Sequence, residues 1–193
     1  MPPKAKFTKK EIIEASMSIV QKDGFSALTA RALGARLGSS ARPIFTVFSS
    51  MEEVRQEVIR SSKKQYCEYV EKGLSQEIPF KGVGEQYILF AIKEPKLFQL
   101  LFMKEQINVP KLSEVLPIID DNYEKILDSI KNGYGMDSTS AQKLYHHLWI
   151  YTHGIATLCA TKMCRFTDQQ IGEMITEVFV SLLNNMKEGK ADD

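Results

Sequence analysis

One stretch constrains this chain more than any other: residues 29–48, TARALGARLGSSARPIFTVF. Ala32, Leu33 and Leu37 share one face at helical spacing, with Arg36 left to solvent. Thr29 is placed to cap that helix, and Gly38 to end it in the left-handed conformation. Ser39 or Ser40 can then cap a second helix that tolerates Pro43 in its first turn and sends Ile44, Phe45 and Phe48 inward. Two short helices about a tight glycine turn follow the plan of a helix-turn-helix, whose second helix enters the major groove of DNA.

The flanks extend the pattern. Thr8 opens a helix reaching about Asp23, with Glu11 completing a capping box and Ile12, Ala15, Ile19 and Val20 as its buried stripe. Gly24 ends it, and Phe25 and Leu28 cover a small three-helix core. Ser49 and Ser50 cap a helix from Met51 to about Lys72, roughly 33 Å long, enough to begin in one domain and finish in another. Residues 73–84, with Gly73, Gly82, Gly84 and Pro79, read as a loop. Helices are then expected over 83–94, from Pro95 to near Met103, over 113–131, from Ser138 or Thr139 to about Lys162, and from Thr167 to about Lys187. Residues 104–112 and the NGYG at 132–135 read as irregular, residues 1–7 as a mobile arm, and the final GKADD as disordered. With no strand pattern or repeat, the reading is all-α: a helix-turn-helix domain over 1–50 and a helical bundle over 51–193, to which the resemblance given below adds ligand binding and dimerisation.

Charge follows the same division. Residues 1–50 hold eight lysines and arginines against Glu11, Glu14 and Asp23, a surplus of +5 in a chain whose net charge is +1. A basic head on an acidic body suits a DNA-binding domain joined to another module. No apolar run approaches the roughly 18 residues of a membrane span, and the start lacks a signal-peptide core, so a cytoplasmic protein is expected. Cys67, Cys159 and Cys164 show neither metal nor redox spacing and are expected as free, mostly buried thiols. His146, His147 and His153 share one helix without an acid at ligand spacing, and neither a nucleophile elbow nor a phosphate loop occurs. Neither catalysis, cofactor nor metal is expected.

Residues 11–60 resemble the DNA-binding domain of the TetR (tetracycline-repressor-like) family of bacterial transcriptional regulators. The likeness runs ungapped through IIEASMSIVQKDGFSALT, the helix-turn-helix, and FSSMEEVRQEVI, including Gly24-Phe25, Leu33, Gly38, Phe45 and Phe48-Ser49-Ser50. Trp149, His153 and Gly154 resemble the Trp-His-Gly signature of one branch of that family. The resemblance implies that Thr29, Arg31, Ser40, Arg42, Pro43, Phe45, Thr46, Ser49 and Ser50 meet DNA. Arg42 is the candidate for specificity, since a guanidinium can grip guanine O6 and N7 together. Hydroxyls at helix starts can hold phosphate. The chain departs from the family at Ala41 and Met51, where lysine is frequent, at Phe45, where tyrosine is usual, at Ser39, where a buried valine is common, and at Gly34, where alanine is usual. Lost phosphate contacts weaken non-specific affinity and flatten its salt dependence.

The body is rich in aromatic and sulfur side chains, as a small-molecule site between helices would be. Phe90, Phe98, Phe102, Met103, Tyr123, Trp149 and His153 are the candidate ligand contacts, and each could equally fill core. The last two helices are the expected homodimer surface, with Ile171, Met174, Ile175, Val178, Phe179, Leu182 and Leu183 as the apolar face of the final one. The function so implied is a repressor that binds a palindromic operator and is released by a small apolar or amphipathic effector. That effector would shift the helix starting at Met51. The rival reading is a ligand-binding or protein-interaction module whose helix-turn-helix has little DNA affinity.

Overall fold

The structure, a computed structural model, describes residues 6–105 and 108–188. The expectations for the extreme N-terminal arm and for GKADD fall outside the described residues, as do residues 106 and 107 of the irregular stretch. Among those described, the chain is all-helical. The helices are α1 (Lys9–Asp23), α2 (Ala30–Arg36), α3 (Met51–Leu74), α4 (Pro79–Lys93), α5 (Pro95–Phe102), α6 (Leu112–Ile119), α7 (Tyr123–Tyr134), α8 (Ser138–Ala160) and α9 (Asp168–Glu188), with short 3-10 turns at Phe25–Ala27 and Arg42–Thr46. They form two compact units. The first runs to Gln65 and takes back Glu94–Lys104; the second holds Tyr66–Lys93 and the residues from Glu105 onward. Helix α3 therefore contributes to both.

In the first unit, the Thr8 hydroxyl accepts from Glu11 N and the Glu11 carboxylate accepts from Thr8 N at 2.7 Å, closing the expected capping box. The buried face of α1 is Ile12, Ser16, Ile19 and Val20, so Ser16 takes the inward place expected of Ala15. Its hydroxyl donates to the Ile12 carbonyl at 2.7 Å, which satisfies the buried oxygen within the helix itself. Leu28, Leu33, Ile44, Phe48, Val54 and Val58 complete the core, joined by Leu97 and Phe98 of α5. Pro95 cannot continue α4, so the chain breaks at Glu94, whose carboxylate accepts from Gln21 and from Gln65, both at 3.0 Å.

The second helix of the helix-turn-helix differs from expectation. It is a five-residue 3-10 turn, Arg42–Thr46, with no side-chain cap. Ser39 is drawn into the preceding turn, its N–H donating to the Gly34 carbonyl at 2.9 Å. That turn lies against α2 at Gly34: a Cβ there would stand 2.9 Å from Ala41 N. Glycine at 34 therefore permits a backbone contact that alanine would block, and its modest propensity cost is secondary. Gly38, at φ 63°, supplies the left-handed step.

In the second unit, α4 begins at Pro79, well inside the stretch expected as a loop. Its glycines serve packing. A Cβ on Gly73 would come within 2.7 Å of the Gly82 and Val83 backbone, and one on Gly82 within 2.5 Å of the Gly73 carbonyl oxygen. The helix expected over 113–131 is two, α6 and α7, parted at Asp120, which adopts extended backbone. The Asp120 carboxylate accepts from Asn122 N at 2.9 Å, a local bond that competes with helix continuation. The NGYG stretch is mostly helical, and Gly135 ends α7 in the left-handed conformation. Helices α4, α7, α8 and α9 pack on one another around this unit's core. The three cysteines are free as expected, but Cys67 and Cys159 are only half-buried and Cys164 is exposed.

Gly73→Ala should destabilise by about 1–3 kcal/mol, because overpacking against backbone cannot relax by rotamer change. Gly133→Ala, in helix with open space around it, should stabilise by about 0.5–1 kcal/mol. Urea unfolding of both variants checks the pair.

Candidate functional site

Two surfaces carry chemistry, one in each unit. On the first unit, Thr29, Arg31, Ser40, Arg42, Phe45, Thr46, Ser49 and Ser50 are exposed and Pro43 is half-exposed. Phe45, expected to point inward, is 45% exposed, whereas Ile44 and Phe48 hold the turn to the core. The 3-10 spacing causes this, since it sets Ile44 toward the core and lets its neighbour emerge. Arg31 and Arg42 have no hydrogen bond or ion pair among the described residues, so both guanidinium groups are available to a ligand. Several hydroxyls are committed. Thr29 Oγ1 accepts from Ala32 N at 3.1 Å, and Thr46 Oγ1 donates to the Pro43 carbonyl at 2.7 Å. Ser49 gives both its N–H and its hydroxyl to the Glu53 carboxylate, at 2.7 and 2.8 Å. Those two bonds hold the Glu53 carboxyl below its ordinary range. A phosphate at Ser49 would have to displace that carboxylate.

The second unit encloses a cavity of about 380 Å³. Its walls come from the end of the α3–α4 turn and from α3, α4, α7, α8 and α9, and they include seven aromatic rings. The buried end is formed by Tyr66, Tyr87, Asp120 and Tyr145; exposed Ile78 and Val180 mark the open end. Phe80 meets Tyr145 edge-on at 5.8 Å, and Tyr134 lies 4.9 Å from Phe179, so the walls support one another.

Two polar clusters organise the buried end. Tyr66 donates its hydroxyl to Asp120 at 2.7 Å, while Asn122 holds the other carboxylate oxygen. Burial pushes the Asp120 carboxyl above its ordinary range, against the opposing pull of these bonds. The Tyr87 hydroxyl lies 2.8 Å from His153 Nδ1 and is also hydrogen-bonded by the Trp149 side chain. The indole can only donate, and which of Tyr87 and His153 donates to the other follows the imidazole tautomer. Burial lowers the His153 pKa. The two residues, one turn apart on α8, together clamp one tyrosine of α4.

Of the candidate ligand contacts, Trp149 lines the cavity. His153 reaches it through Tyr87. Phe90 is buried behind Tyr66 and Tyr69, and Tyr123 stacks on Tyr145, so both support the wall without forming it. Phe98, Phe102 and Met103 belong to the first unit, where Phe98 is core and Met103 is exposed; they are not brought to the cavity. Sequence reasoning missed Tyr66, Asp120 and Tyr145. Tyr66 was accessible as part of the α3 stripe Val54, Val58, Ser62, Tyr66, Val70; an acid ending the apolar run VLPII was the available signal for Asp120.

The fold is shared with a known regulator. It is similar to the solved structure of FadR, a fatty acid degradation regulator from Bacillus halodurans, with a TM-score of 0.55 over 90% of this chain and 93% of that chain. Sequence identity is 15%, so the likeness establishes fold alone. No protein-family profile and no curated protein sequence matches the chain. Among the described residues, no helix is long and apolar enough to cross a membrane, and no group of side chains is arranged to hold a metal ion.

The His153 environment sets a pH dependence. Its folded pKa lies below the unfolded value of 6.5, so the unfolded chain binds the proton first. Its contribution to stability is complete above pH 6.5 and is lost as pH falls from there through the folded value. Asp120, raised when folded, acts with opposite sign at lower pH, and subtraction of a common background removes it. The stability difference between wild type and His153→Gln should be constant above pH 6.5 and shrink below it. Equal pH slopes in denaturant titrations would refute this.

Proposed function

We propose that the chain is a DNA-binding transcriptional regulator of the TetR type, working as a homodimer and responding to a small apolar or amphipathic effector in the aromatic cavity. The observation that carries the reading is the exposed turn Arg42–Thr46, with the guanidinium groups of Arg31 and Arg42, unpaired among the described residues, on the same helix-turn-helix unit. The fold likeness to a regulator and the basic surplus of the first fifty residues support it. FadR's name ties that protein to fatty acid degradation; what is carried to this chain is the general idea of an apolar effector.

In this reading α8 and α9 pair two subunits. Exposed Ile150 on α8 and Val180 on α9 support that assignment, because a dimer would cover them. Two heads on a twofold axis would read two half-sites of an inverted repeat. The effector would act through α3, which places Val54 and Val58 in the core of the first unit and Tyr66 in the cavity wall. It would do so by binding two arrangements of that helix with different affinity. Repression relieved by the effector is the expected output, in a bacterial cytoplasm. No catalytic role is assigned.

A second reading has its own observation. The Ser49 donors are held by Glu53, and lysines are absent at Ala41 and Met51, which fits a helix-turn-helix of low DNA affinity on a ligand-binding or protein-interaction module.

Selection of random duplex DNA on the purified protein at moderate salt separates the two. The regulator reading predicts enrichment of an inverted repeat, and Arg42→Ala should relax preference at one position in each half-site at a cost of about 1–3 kcal/mol. A folded dimer that enriches no sequence would favour the second reading.

A further inference from the structure

The reading above leaves the effector's chemistry open, and the inference here rests on that reading's assignment of the cavity. The charged residues lining the cavity are Glu77, Lys81 and Asp120. Glu77 is exposed, and half-buried Lys81 already faces Glu85 at 3.8 Å. Only Asp120, 5% exposed, belongs to the buried end. It accepts hydrogen bonds from Tyr66 and Asn122, and no cation pairs with it among the described residues. The neighbouring charge that acts on it is another acid, Asp121. A carboxyl group in this position is costly to ionise when the cavity is empty, and burial raises its pKa accordingly. Tyrosine side chains stand around it. Tyr66, Tyr87 and Tyr145 line the same end, and the Tyr145 hydroxyl has no hydrogen-bond partner among the described residues.

The geometry points to a lipophilic amine as the occupant: an apolar chain or ring system with one protonated nitrogen, held at the buried end by the Asp120 carboxylate and the tyrosine rings. Three features of the ligand follow from the walls. Its apolar part replaces water against the aromatic and aliphatic lining. Its ammonium supplies the missing counter-charge to Asp120 in a site where charge-assisted hydrogen bonds are strong. The same charge is favoured over the faces of electron-rich rings. A carboxylate ligand meets the reverse: repulsion from Asp120 at the buried end, with Lys81 offering a partner only near the opening.

Trp149 is the chain's single tryptophan and lines the cavity, so its fluorescence reports occupancy, with calorimetry as a second readout. The probes are decylamine, decanol and decanoate, which share a chain and differ in the head, each used at pH 7 below its aggregation limit. Decylamine should bind about tenfold or more tightly than decanol, and decanoate more weakly than decanol. Asp120→Asn should erase the amine's advantage over decanol. Decanoate binding as tightly as decylamine overturns the amine assignment, as does an amine advantage that survives in folded Asp120→Asn. In either case decanol binding keeps the cavity as a ligand site. Binding of none of the three removes both the amine assignment and the cavity's role. If Asp120→Asn does not fold, the three-ligand comparison on the unaltered protein decides.

Discussion

Among the described residues, glycine lets backbone meet backbone at Gly34 and at Gly73 with Gly82, and both candidate sites depend on these contacts. At Gly34 the α2 helix is pressed against residues 39–41, which fixes the turn that presents Arg42–Thr46. At Gly73 the end of α3 is pressed against Gly82 and Val83, which sets the corner from α3 into α4 and with it one wall of the cavity. Any Cβ at these points would sit at a separation that real Cβ atoms do not adopt, so the elements would have to part. A glycine in mid-helix usually costs stability through chain entropy. Here the cost is offset by contacts that no other residue permits.

The two units use polar groups in opposite ways. On the first, the guanidinium groups of Arg31 and Arg42 have no partner among the described residues while hydroxyls cap the adjoining helices. In the second, polar groups turn inward and are held in pairs: Tyr66 with Asp120, and Tyr87 between Trp149 and His153. Such pairs fix the directions of groups inside an otherwise apolar space and so restrict which head group a ligand can carry. On α8, Trp149 lines the cavity directly, and His153 bears on it through a tyrosine of another helix.

Local signals in the sequence were sufficient for most of the fold. Thr8 with Glu11, Thr29, Gly24, Gly38 and Pro95 mark starts and stops by rules that depend on a few neighbouring residues, and each does so in the structure. The errors arise where a residue's role is decided by something distant. Gly82 and Gly84 read as loop because glycine is a local breaker, yet Gly82 faces Gly73 across a helix corner. Asp120 falls within the single helix expected over 113–131, but its carboxylate is engaged by Tyr66, 54 positions earlier in the chain. The sequence reading finds more aromatic residues than a plain bundle needs, and seven aromatic rings line the cavity. Composition cannot say which of them face a void, and Phe98 is core while Tyr145 lines the cavity.

In the proposed regulator, occupancy of the cavity and binding of DNA are coupled in one chain. The direct measurement is a thermodynamic square: affinity of the selected duplex with and without a saturating cavity ligand, and affinity of that ligand with and without saturating duplex, at one salt concentration. Each ligand should weaken the other, and by the same factor, since coupling free energy is reciprocal. Unchanged DNA affinity with the cavity demonstrably full would contradict it.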